Sequence, residues 1–124
     1  MGRYYNGDIE GKFWFAVQSS TDADFFGVVG SEPNYLDYYF SEDNLHDIEE
    51  GIAKCEMHLG DWKSKFDQFF KKNNGYNYEM IEEQLGLKED DAQDLLKWYA
   101  RLDLGTKILK CVQKNGECSF TAEL

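Results

Sequence analysis

Two histidines, three cysteines and a surplus of carboxylates are the residues of this chain able to do chemistry, and their spacing decides whether they can. His46 and His58 stand twelve residues apart in a helical stretch, too far along its axis to share one ion. No Cys–Cys–His spacing supports zinc. Asp22 and Asp24 have the rhythm of a calcium loop, but Phe26 offers no oxygen and Pro33 stands where the bidentate Glu belongs, so residues 19–24 read as a solvated polar loop. Cys55 lies three residues before His58, about one helical turn, a spacing at which a thiolate could be activated. Cys55 also falls on an apolar seam, which makes it a small core residue. Glu49-Glu50, Glu82-Glu83 and Glu89-Asp90-Asp91 read as solvated helix faces, with no catalytic dyad marked among them. G-x-S-x-G, Walker and G-x-G-x-x-G motifs are absent, and neither catalytic residues, metal nor cofactor is assigned.

The charge balance narrows the partners. Thirteen Lys and Arg stand against 24 Asp and Glu, a net charge of −11 with a sequence pI near 4.5. The excess is spread evenly, −4 over residues 1–40, −3 over 41–72 and −4 over 73–124. Such a field repels phosphate backbones and anionic lipid. Met80–Leu96 does have the outline of a helix-turn-helix with Gly86 in the turn, and Asn115-Gly116 imitates a wing. Its second helix would open on Glu89, Asp90, Asp91 and Asp94, which would face phosphates with like charge. DNA binding is therefore the weakest of three readings.

The remaining functional signal is aromatic. Rings make up 16% of the chain, and Arg3, Tyr4, Tyr5, Trp14, Tyr35, Tyr38 and Tyr39 place more of them near the N-terminus than one sheet face needs. Tyr and Trp beside Arg are the residue types that anchor protein interfaces. They form the candidate binding site of an acidic, non-enzymatic interaction domain whose protein partner would be basic. The same rings could instead line a pocket for a nucleotide or other planar molecule, provided that Arg3 and Lys12 converge there.

The elements that must hold these residues are legible in part. Lys12–Gln18 reads as a strand apolar on both faces, and Asn6-Gly7 before it as a tight hairpin turn. Phe25–Gly30 reads as a short strand, and Ser31–Asn34, holding the only proline, as a turn. Residues 35–40 alternate, with Leu36, Tyr38 and Phe40 on one face. Leu45, Ile48, Ile52, Cys55, Leu59, Trp62, Phe66 and Phe69 then form a seam of period 3.5. The seam predicts one helix over residues 45–70, capped by Asn44, with its weakest point at Gly60-Asp61 and with the option of homodimerisation along it. A short helix follows from Tyr78 to Leu85, capped by Asn77 and stopped by Gly86, and another starts near Glu89 with Gly105 weakening its middle. Lys114-Asn115-Gly116 turns the chain into a strand over 117–124 with Cys118, Phe120, Ala122 and Leu124 on one side.

Together these elements predict a single α+β domain over residues 1–124. A small antiparallel sheet of N-terminal strands plus the C-terminal strand packs against a long helix and two further helices. The opening Met-Gly-Arg-Tyr-Tyr-Asn-Gly-Asp-Ile-Glu-Gly-Lys-Phe-Trp-Phe and the ending Gly-Glu-Cys-Ser-Phe-Thr-Ala-Glu-Leu resemble small uncharacterised proteins of large DNA viruses and aquatic phages. The resemblance implies expression inside an infected cell, in the host cytoplasm, and a host or viral binding partner; it assigns no residue roles. Three unpaired cysteines, no N-x-S/T site and no apolar run of 18 residues agree with an intracellular protein away from the membrane.

Overall fold

The computed structural model describes residues 3–14, 17–30 and 35–123, with the backbone alone for Tyr35. The expected α+β architecture is what is found. Four antiparallel strands, β1 (Tyr4–Gly7), β2 (Gly11–Lys12), β3 (Tyr35–Ser41) and β4 (Glu117–Glu123), lie in the order β2-β1-β4-β3. The C-terminal strand is thus central, and the N-terminal strands flank it. Four helices follow β3 in the chain before it closes on β4: α1 (Leu45–Leu59), α2 (Trp62–Lys72), α3 (Tyr78–Leu85) and α4 (Glu89–Asn115).

The long helix is not where the seam places it. Residues 45–70 are divided at Gly60, whose φ of +55° leaves the helical region, and α1 and α2 result. At 27 residues, or about 40 Å at 1.5 Å per residue, α4 is the long helix of the fold. The seam residues are nevertheless all buried or half-buried, because α1 packs along α4 of its own chain. That face is not open to a second copy.

One face of the sheet lies on α4. Tyr5, Leu36, Tyr38, Phe40, Cys118, Phe120 and Ala122 point inward, and the Phe120 ring stacks on Tyr38 (centroids 5.2 Å apart, planes at 20°) and on Phe40 (6.2 Å, 8°). The alternation in residues 35–40 and 117–123 is therefore real burial of one side in two.

Four local expectations fail. Pairing of the predicted 12–18 strand ends with the Phe13 N–H on the Arg3 carbonyl (2.8 Å). The Trp14 carbonyl accepts from the N–H of Gln18 (2.9 Å), and the Gln18 side chain accepts the Trp14 N–H (3.0 Å), which turns the chain. Phe15 and Ala16 lie outside the described residues, as does the Ser31–Asn34 turn. The hairpin does not bend at Asn6-Gly7: Gly7 runs against β4, where a Cβ would stand 2.5 Å from Phe120 Cα, and Asp8 pairs with Ser119 through its own N–H (2.7 Å) and Oδ2 (2.9 Å). Residues 8–10 make the connection instead. Residues 22–26 form a 3-10 helix rather than a loop leading into a strand at 25–30. Asn44 turns its Oδ1 back to the Ser41 N–H (2.9 Å) and leaves α1 without a side-chain cap.

Residues 77–86 behave as read. Asn77 Oδ1 accepts the Met80 N–H at 2.8 Å, and Gly86 closes α3 with φ +73°.

Candidate functional site

The predicted binding residues are dispersed into four environments. Tyr5 and Tyr38 belong to the core and are closed to a partner. The Tyr38 hydroxyl donates to Asp24 Oδ1; burial first, and that carboxylate second, raise its pKa far above the ordinary tyrosine value. Arg3 is a brace. Its guanidinium donates to Ser20 Oγ (2.7 Å) and the Gln18 carbonyl, and Ser20 Oγ donates on to the Glu123 carbonyl at 2.5 Å. Trp14 enters a ring cluster with α2 and α4. Tyr4 and Tyr39, 49% and 55% exposed, lie on the open face of the sheet, and the side chain of Tyr35, the seventh candidate, lies outside the described residues.

That open face is acidic. β4 turns Glu117, Ser119, Thr121 and Glu123 outward, β3 adds Asp37 and Tyr39, and β1 adds Tyr4 and Asn6. Strand pairing sets Asn6, Thr121 and Asp37 in one row. The Tyr39 hydroxyl donates to Glu117 Oε2 on the diagonal (3.1 Å), and its pKa is raised by that bond. Lys12, opposite Tyr4 on the far edge, is the one cation described on this face.

Among the described residues, the face ends in an edge with no strand beside it. Ser41 sends its N–H to Asn44 rather than to β4. Antiparallel pairing alternates, so Asp37 and Tyr39, in phase with Ser41, turn their N–H and C=O groups away from β4. No described strand pairs with β3 on that side, and Tyr35–Ser41 contains no Pro, Lys or Gly to blunt it.

On the other side of β2 a cleft of about 830 Å³ opens between Trp14, the last turn of α2 and the α2–α3 connection. Trp14 stacks on Tyr76 (5.9 Å, 29°) and meets Phe70 edge-on (5.5 Å, 80°). Tyr99 stacks on Phe70 from behind (5.7 Å, 18°), held by its hydroxyl on Asp67 Oδ1 at 2.6 Å. Of the two cations that were to converge on a planar ligand, only Lys12 lines this cleft. Tyr76 and Tyr78, its far wall, were not among the candidate residues. Their one signal in the sequence is the ring-rich Tyr76-Asn77-Tyr78 after the Asn73-Asn74-Gly75 turn.

Comparison with protein-family models, curated proteins and solved structures found no match.

The groups with nucleophilic potential are occupied elsewhere. Cys55, fully buried, has its thiol pushed up to about 12 by that burial. His58 stacks on Trp98 (4.3 Å) and meets Asp94 Oδ2 at 3.1 Å. Asp22, far from solvated, accepts from Arg101 Nε and from Gln18 Nε2, each at 2.8 Å. The Arg101 guanidinium lies over Phe25 and Trp98, 4.6 and 4.7 Å from their ring centres. Among the described residues no three His, Cys, Asp or Glu side chains gather where they could hold a metal ion, and no helix is long and apolar enough to cross a membrane.

Proposed function

We propose that this chain is an acidic protein-interaction domain, not an enzyme, which adds an extended basic segment of a partner protein to the free edge of β3. The carrying observation is the edge itself. Among the described residues nothing pairs with the outward backbone groups of Asp37 and Tyr39, which lie beside exposed Tyr39 and the carboxylates of Asp37, Glu117 and Glu123. Main-chain pairing supplies affinity in such strand addition, and the flanking side chains supply selectivity. Lysines alternating along the incoming strand would meet the carboxylates, while Tyr39 gives a large contact area at small entropic cost.

A second copy is the poorer occupant, since it brings the same acidic face to the same edge. DNA is poorer still, because Glu89, Asp90 and Asp91 are exposed at the start of α4. On the resemblance of the chain ends, the partner is a host or viral protein inside an infected cell.

The test is affinity for a synthetic peptide of alternating Lys and Thr. Binding that weakens in Asp37→Lys and Tyr39→Ala, and with rising salt, supports the reading. Equal affinity for a Glu–Thr peptide contradicts it.

A further inference from the structure

The cleft beside Trp14 is a site of a different kind from the sheet edge, because its charge runs against that of the molecule. Asp and Glu make up about one residue in five of the chain (24 of 124), so a lining of ten residues should hold about two. The ten described residues around the cleft include none, and Lys12 is their only charged member. At physiological salt, charges more than about 8 Å away are largely screened. The local lining, with Glu10 and Glu123 on the far side of Lys12, therefore sets what enters more than the overall −11 does.

The lining is otherwise flat and aromatic. Trp14, Phe70, Tyr76 and Tyr78 are each half-buried, and Gln93 contributes an amide from α4. The cleft falls within the range of roughly 300–1,000 Å³ in which small-molecule sites occur, and its mix of rings with a few polar groups is theirs too. Rings of this kind bind planar systems by offset stacking or edge contact. Lys12 at the mouth adds a point charge on a flexible stem.

We infer that this cleft binds a small planar aromatic anion, its ring against Trp14 and Tyr76–Tyr78 and its acidic group at Lys12.

The probe is 8-anilinonaphthalene-1-sulfonate, with N-phenyl-1-naphthylamine as its uncharged counterpart. The expected result is saturable one-to-one binding of the sulfonate to the native protein, with the Trp14 indole N–H resonance shifting on titration. Lys12→Glu should weaken the sulfonate roughly five- to tenfold, as reversing a partly exposed charge does, and leave the neutral dye unchanged, while Lys12→Arg retains both. Trp14 is packed on three rings, so Tyr78→Ala, at the rim, serves as the ring variant and should weaken both dyes. No binding, binding that Lys12→Glu and Tyr78→Ala leave unaltered, or fluorescence that rises only as near-ultraviolet circular dichroism is lost would each overturn the assignment.

Discussion

The Phe26 ring occupies the space that a side chain at Gly105 would need: a Cβ there would overlap Cε1 and Cζ of the ring. Gly51 on α1 faces the same ring from the other side, where a Cβ would stand 2.7 Å from Cδ1. Phe26 is therefore a wedge between α1 and α4, and the two glycines that should weaken their helices are the notch that receives it. Ala at Gly105 gains about 1 kcal/mol of helix propensity but overpacks a close-fitted core, which costs about 1–3 kcal/mol. Gly105→Ala should therefore lower stability to urea, whereas Gly75→Ala, with open space around it, should be nearly neutral. Adding Phe26→Leu should recover part of the Gly105→Ala loss; strict additivity of the two would disprove the wedge.

The Asp22–Arg101 pair ties the 3-10 helix to α4. The Asp22 side chain is only 2% exposed, so removing one partner strands a charge in the interior. Asp22→Leu and Arg101→Met should each cost about 3–5 kcal/mol, and the double variant that combines them should regain most of the loss. Urea midpoints of the three variants measure this. A double variant as unstable as the sum of the singles would show that the pair is not a closed unit.

Stability should fall in alkali. Burial lifts the Tyr38 and Tyr99 hydroxyls above the ordinary value of 10.0, and Asp24 and Asp67, which accept their protons, add to the rise. Burial likewise pushes Cys55 from 9.0 to about 12. In each case the folded state holds the proton more tightly than the unfolded chain. The stabilisation is complete below the ordinary pKa and is lost as pH climbs past it, by up to about 1.4 kcal/mol per pH unit for each group. Urea midpoints should hold steady from about pH 7 to 8.5 and drop above pH 9. Tyr38→Phe combined with Cys55→Ala should flatten the drop; an unchanged wild-type midpoint at pH 11 would refute the assignment.

What the sequence discloses follows the range of the interactions. The α3 boundaries at Asn77 and Gly86 are set by contacts within four residues, and the alternation of Cys118, Phe120 and Ala122 by burial of one sheet face. Tyr38, in step with Leu36 and Phe40, shares that burial. Gly51 and Gly105 look like defects because the ring that explains them lies 25 and 79 residues away. Asp22 reads as solvated loop because Arg101 is equally remote. The cleft is half legible: Trp14 and Lys12 stand out by residue type, but their opposite wall is brought up only by the chain after α2, through Asn73–Asn77.

The most direct measurement is a ¹⁵N–¹H titration of the whole chain with the alternating Lys–Thr peptide. The largest shifts should fall on Asp37, Tyr39 and the facing β4 amides, diminish with salt, and vanish for a peptide N-methylated on the edge that would pair. Shifts centred on α3–α4, or equal binding of the N-methylated peptide, would contradict strand addition at β3.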